Sequence, residues 1–145
     1  MINYYEKIKQ KKNIFNPNFE KHLMKIPFRM LIIGSSGSGK TNVILNLLKQ
    51  FNGTFSSIDI YTRQTDEPLY QHLKDTYKKT YKINNGDEQL NIFEGLDKLK
   101  SLNEYDPELN HLVIFDDLIL DKNLKGVAEY YIRCRKKGVS VVFIS

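Results

Sequence analysis

The sequence predicts an α/β fold in three layers, with helices on both faces of a mostly parallel sheet. Two observations carry the prediction. Short apolar or alternating runs recur along the chain, and segments with a 3.6-residue apolar period lie between them, which is the pattern of strands joined by crossover helices. One of these transitions, from Phe28-Arg-Met-Leu-Ile-Ile33 to Thr41, passes through a loop of glycine and serine ending in Lys-Thr. That is the strand–loop–helix unit of a phosphate-binding loop.

The elements follow in order. Residues 1–26 are polar, basic and interleaved with Tyr and Phe. They read as a basic N-terminal arm or a short helix ahead of a domain over 27–145. Phe28 to Ile33 reads as a buried strand. From Thr41 the period changes, and Val43, Ile44, Leu47, Leu48 and Phe51 form one helical face, ended by the turn signal Asn52-Gly53. Ser57 to Thr62 alternates as a second strand. Glu67-Pro68 opens a helix, because proline suits a first turn, and Leu69, Tyr70, Leu73 and Tyr77 stripe it. Asn84-Asn-Gly86 signals a turn, Leu90 to Phe93 a short strand, and Gly95 to Leu102 a short helix. A loop broken by Pro107 follows. His111-Leu-Val-Ile-Phe-Asp-Asp117 is a strand ending in two acids. Leu124, Val127, Ala128, Tyr131 and Ile132 mark the next helix, Gly138 stops it, and Val139 to Ile144 is the last strand. The chain stops at Ser145, at the end of an apolar strand where α/β domains usually enter a further helix, so we expect a piece of a longer domain, truncated after this strand.

Composition narrows the class. The 145 residues suit one domain, and the formal net charge of +5 is compatible with nucleic acid without requiring it. With Cys134 as the single cysteine, no internal disulfide can form, which fits a reducing compartment. The N-terminus lacks the apolar core of a secretory signal, and no apolar run approaches the length of a membrane span. The expectation is a soluble intracellular protein. His22, His72 and His111 are scattered, and no Cys/His spacing suggests zinc.

The loop Gly34-Ser-Ser-Gly-Ser-Gly-Lys-Thr41 matches G-x-x-x-x-G-K-[ST]. Gly34, Gly37 and Gly39 allow the backbone of Ser35, Ser36 and Ser38 to turn its N–H groups onto phosphate oxygens. The following helix adds its positive dipole end. Lys40 can reach the β and γ phosphates as a point charge, and the Thr41 hydroxyl can ligate Mg²⁺. The motif therefore points to ATP or another nucleoside triphosphate with Mg²⁺.

The acids extend that reading. A strand such as Leu112 to Phe115 delivers a carboxylate to the ligand edge of a parallel sheet. Asp116 is expected to hold Mg²⁺, and Asp117 to orient and deprotonate the attacking water. Small GTPases carry Asp-x-x-Gly here, whereas this chain has Asp116-Asp-Leu-Ile119. Nucleotide kinases usually lack the second acid, so the pair points to hydrolytic ATPases of the additional-strand type. Arg133-Cys-Arg-Lys-Lys-Gly138 ends a helix. Cations suit a helix C-terminus, but Arg135 first and Arg133 second are also candidates for an arginine finger reaching a neighbouring subunit's γ-phosphate. Basic runs at Lys7 to Lys12 and Lys74 to Lys82 read as solvated faces rather than nucleic-acid contacts.

Four blocks together resemble a known family. They are Ile26-Pro-Phe-Arg-Met-Leu-Ile-Ile-Gly-Ser-Ser-Gly-Ser-Gly-Lys-Thr-Asn42, Ile60-Tyr-Thr-Arg-Gln-Thr-Asp-Glu-Pro-Leu-Tyr70, Val113-Ile-Phe-Asp-Asp117 and Tyr130 to Ser145. Over residues 26–145 the chain resembles the DNA-packaging ATPases of large DNA viruses, virophages and virus-like transposons, of the FtsK/HerA superfamily. The lead-in Pro-Phe-Arg and Asn42 after the loop are part of the likeness. Cys134 departs from it, standing where many relatives have Gly, and relatives usually continue with Gln, another helix and a fifth strand. The resemblance implies a RecA-like P-loop NTPase fold, with the last strand between the loop strand and the acid strand. It implies ATP hydrolysis that drives double-stranded DNA into a capsid, a homo-oligomeric ring with a finger in trans, and capsid proteins as further partners. It implies action in the host cytoplasm, the viral factory or the virion, with no membrane role. Two alternatives stay open: a nucleotide or polynucleotide kinase, and a truncated paralogue that binds nucleotide without turnover.

Overall fold

The structure, a computed structural model, describes residues 1–4, 14–81 and 89–145. The turn signal at 84–86 and the basic run at 7–12 lie outside the described residues, and the run from Lys74 to Lys82 is described only in part. Five strands form one parallel sheet: β1 (Arg29–Ile32), β2 (Ser57–Thr62), β3 (Gln89–Glu94), β4 (His111–Asp116) and β5 (Val139–Ile144). Their order is β1-β5-β4-β2-β3. The last strand therefore lies between the loop strand and the acid strand, as the resemblance implied. Helices among the described residues include α1 (Phe19–His22), α2 (Lys40–Gln50), α3 (Pro68–Tyr81) and α4 (Leu124–Arg133), with 3₁₀ turns at Leu102–Glu104 and Cys134–Lys137.

The period-2 geometry of the strands sorts the core into two faces. Ile58, Ile60, Leu112, Ile114, Val142 and Ile144 point one way, against Ile44, Leu48 and Phe51 of α2 and its C-terminal end and against Tyr70 and Leu73 of α3. Tyr61, Val113, Phe115, Val139 and Val141 point the other way, against Val127 and Tyr130 of α4. These are the three layers. Burying each such aliphatic side chain contributes about 1.5–3 kcal/mol, and a one-residue slip would exchange the two faces. That is why β2 pairs with β4 in the single register Ser57–His111 through Thr62–Asp116.

Three expectations need correction. The loop strand is not buried. Among the described residues β1 pairs only with β5, and Leu31 and Ile33 are 57% and 74% exposed, because β1 stands at the edge of this sheet. Gly95 to Leu102 is not a helix. Gly95 turns with φ 66°, its N–H is held by the Thr62 carbonyl at 2.9 Å, and the chain reaches only a 3₁₀ turn at Leu102–Glu104. There Ser101 and Glu104 form a reciprocal capping box. The buried face of α4 is Val127 and Tyr130, continued by Cys134, not Ala128 and Ile132. Ile132 is 77% exposed, since the tyrosines fill the space over β4 and β5.

A buried polar knot braces the second face. Asp59, fully buried on β2, accepts hydrogen bonds from Tyr105 Oη at 2.7 Å, Lys100 Nζ at 3.0 Å and Asn91 Nδ2 at 2.9 Å. Tyr130 Oη donates to the Lys100 carbonyl at 2.5 Å. The loop after β3 is thereby tied to the sheet.

Candidate functional site

The glycine-rich loop joins β1 to α2, and its shape follows from its residues. Gly37 and Gly39 have φ of 76° and 85°, a region that favours glycine. Gly39 is the residue before α2, whose N-terminus faces the loop. Gly34 is constrained differently, because a Cβ there would stand 2.6 Å from Ser38 Oγ. A turn bond from Ser38 N–H to the Ser35 carbonyl (3.2 Å) closes the loop. The Lys40 ammonium folds back over it, donating to the carbonyl of Gly34 and to that of Ser35 at 2.9 Å.

β5 carries the loop and the acids to one another. Gly34 N–H donates to the Ser145 carbonyl at 3.1 Å, Ser145 N–H to the Ile32 carbonyl at 2.9 Å, and Asp117 N–H to the Ile144 carbonyl at 3.2 Å. The result is a cleft of about 520 Å³ lined by Gly34, residues 36–42, Glu67, Asp116, Asp117 and Ser145. Of the residues singled out in the sequence, Gly34, Ser36, Gly37, Ser38, Gly39, Lys40, Thr41, Asn42, Asp116 and Asp117 all meet here. Ser35 joins through its carbonyl. Arg133 and Arg135 do not. They precede β5 at the opposite end of the sheet, and Arg133 is exposed and pairs with Glu129 at 3.1 Å.

The two acids differ. Asp116 ends β4 on the α3 side and is only 6% exposed. Its Oδ2 accepts a hydrogen bond from Tyr70 Oη. Burial pushes its carboxyl above the usual range and Asp117 adds to this, while the Tyr70 hydroxyl and the Lys40 ammonium pull it down. Asp117 is exposed and adopts φ 54°, a left-handed conformation that Asp tolerates better than most residues. That twist turns the chain out of the sheet and sets the Asp117 carboxylate in the cleft.

Sequence reasoning missed Glu67 and Tyr70, which reach the same place from the start of α3. Burial, then repulsion by Asp116 and Asp117, raises the Glu67 carboxyl above its ordinary value. Burial, then the Asp116 charge, raises the Tyr70 phenol, so its hydroxyl remains a donor. The available signal was position, since the segment after β2 leaves the sheet at the same C-terminal edge as the loop and the acids. Among the described residues, no group of three or more His, Cys, Asp or Glu could hold a metal ion by itself. No helix of the described residues is long and apolar enough to cross a membrane.

Fold and cleft define an α/β protein in which a glycine-rich loop, a helix N-terminus, one lysine and a pair of acids converge at the C-terminal edge of a parallel sheet. The family profile described as "Poxvirus A32 protein" matches residues 16–145, and the chain belongs to that family. It is 31% identical over 106 residues to the DNA packaging protein OPG160 of Variola virus and, equally, to that of Vaccinia virus strain Copenhagen. Those stretches cover 68% of this chain and 37% of each relative. The chain thus spans little more than a third of the length of these curated relatives.

Proposed function

We propose that the cleft binds ATP with Mg²⁺ and hydrolyses it, as the motor domain of a P-loop ATPase that drives double-stranded DNA into a viral capsid. The observation that carries this reading is the convergence across β5. The strand order brings the loop Gly34–Thr41 and the pair Asp116-Asp117 to one cleft, although some 75 residues separate them in sequence. Loop N–H groups and the dipole of α2 suit phosphate, and the loop keeps its turn with glycine at position 34, where a Cβ would meet Ser38 Oγ at 2.6 Å. Lys40 supplies a positive charge to the β and γ phosphates. Thr41 and Asp116 are the residues to hold Mg²⁺. Two protein ligands suffice, because Mg²⁺ takes its remaining oxygens from phosphate and water. Asp117, exposed beside them, is the base that orients and deprotonates the attacking water.

The capsid-filling role rests on the DNA packaging relatives and on the family. With it come the FtsK/HerA superfamily, a homo-oligomeric ring, capsid proteins as partners, and action in the host cytoplasm or viral factory. Placing Arg133 and Arg135 away from their own chain's cleft suits a finger offered to a neighbouring subunit.

The test is ATP hydrolysis by the protein with and without double-stranded DNA, beside Asp117→Asn. Asn tolerates the left-handed backbone as Asp does, so its effect is chemical. The expected result is DNA-stimulated hydrolysis that falls on the order of 10²-fold or more in Asp117→Asn, with ATP binding kept. Equal hydrolysis by both proteins would overturn the assignment of the base, and binding without turnover in the unaltered protein would favour a nucleotide-binding paralogue.

A further inference from the structure

We propose that Tyr70 is a positioning residue for Asp116, holding one carboxylate oxygen so that the other is presented to the cleft. The inference rests on the ATP–Mg²⁺ reading above and deepens it. Asp116 lies at the meeting of three strands, in register with Thr62 on β2 and Ile144 on β5, and β4 alone does not set the rotation of its carboxylate. Among the described residues, the one side chain that hydrogen-bonds to it is Tyr70, through Oδ2. Tyr70 is 0% exposed, so its ring cannot swing away. It sits in the first turn of α3, where its N–H donates to the Glu67 carbonyl at 3.0 Å. The buried Thr62 side chain stands beside the phenol on the neighbouring strand. The ring is therefore fixed by its burial and by the start of the helix, and Asp116 takes its orientation from it.

Such an outer partner raises the affinity of a carboxylate for its ion by fixing its geometry, and losing one costs about 10–100-fold in metal affinity or activity. A hydrogen bond that merely satisfied a buried carboxylate would affect stability and leave ion dependence alone.

The experiment compares the Mg²⁺ dependence of ATP hydrolysis in the protein and in Tyr70→Phe, with thermal unfolding measured on both and Mg²⁺-dependent binding of a fluorescent ATP analogue measured on the unaltered protein. The expected result is a Mg²⁺ concentration for half-maximal hydrolysis about tenfold higher in Tyr70→Phe, with the KM for ATP at saturating Mg²⁺ unchanged. An unshifted Mg²⁺ dependence in a folded Tyr70→Phe overturns the proposal while leaving the ATP–Mg²⁺ reading intact. No Mg²⁺-dependent binding by the unaltered protein overturns that reading and the proposal with it. Should Tyr70→Phe fail to fold, Thr62→Val replaces the polar group beside the phenol with a methyl and keeps the ring. It is expected to shift the Mg²⁺ dependence in the same direction by a smaller factor, and no shift there counts against the proposal.

Discussion

Gly34 shows how single residues set the cleft. A methyl group there would meet Ser38 Oγ at 2.6 Å, a contact that Ser38 can relieve by rotating, at the expense of the loop's shape. Gly34→Ala is therefore expected to keep the fold, with a midpoint of thermal unfolding within about 2 °C of the original. Its affinity for ATP–Mg²⁺, read by calorimetry, is expected to fall about tenfold or more. Glu67 makes the opposite trade. Its folded-state carboxyl lies above its ordinary value, through burial and then the charges of Asp116 and Asp117. Between the unfolded and folded values the native state therefore binds more protons than the unfolded state, and stability falls as pH rises through that window. Above the window the penalty is fully present. Glu67→Gln removes it, and unfolding curves at neutral pH are expected to show a gain of about 1–3 °C. The gain should vanish as the pH falls below the ordinary carboxyl range. A gain that persisted in acid would assign the effect to packing instead.

Among the elements, β2 and α4 carry the least obvious chemistry. β2 buries both faces, yet it contains Asp59, which is accommodated because three donors converge on it. Lys100 supplies the only positive charge among them. Lys100→Met leaves the carboxylate buried with neutral partners, a change that ordinarily costs several kcal/mol. The Lys100 side chain is itself 32% exposed, so we expect about 2 kcal/mol at neutral pH, read by denaturant unfolding. No loss would mean that Tyr105 and Asn91 suffice. This knot was not legible in the sequence, where Asp59 looks like the outward residue of an alternating strand. Period-2 alternation predicts one wet face, but α4 and the loop at 95–105 cover that face here. The same covering explains the misread face of α4. Ile132 has an apolar side chain at a helical spacing, but Tyr130 and Cys134 are the residues over the sheet, and which helical face turns inward depends on the neighbour.

In the molecule as a whole, the position of Arg133 and Arg135 has a consequence for assembly. Neither can reach its own cleft from the far end of the sheet, so a catalytic part for either requires a neighbouring copy. Arg135→Ala and Asp117→Asn are each expected to lose most hydrolysis alone. Mixed, they should regain activity, because a subunit with intact Asp117 then receives Arg135 from its neighbour. Mixtures no more active than the separate variants would remove the finger from the proposed mechanism.

The sequence by itself determined the local units of this protein: the strand–loop–helix at Gly34–Thr41, the acid-tipped strand ending at Asp116-Asp117, and the last strand at Val139 to Ile144. Each is written in adjacent residues, through glycines that turn a loop, a 3.6-residue or two-residue apolar period, and a glycine that stops a helix. The tertiary structure alone decided what meets what. Beyond the place of β5 between β1 and β4, which the resemblance implied, it brought Glu67 and Tyr70 to the acids, left Leu31 and Ile33 at an edge, and closed Asp59 beneath Lys100 and Tyr105. These outcomes depend on which faces bury against each other across long stretches of chain, and burial is a property of the packed molecule that no short segment encodes.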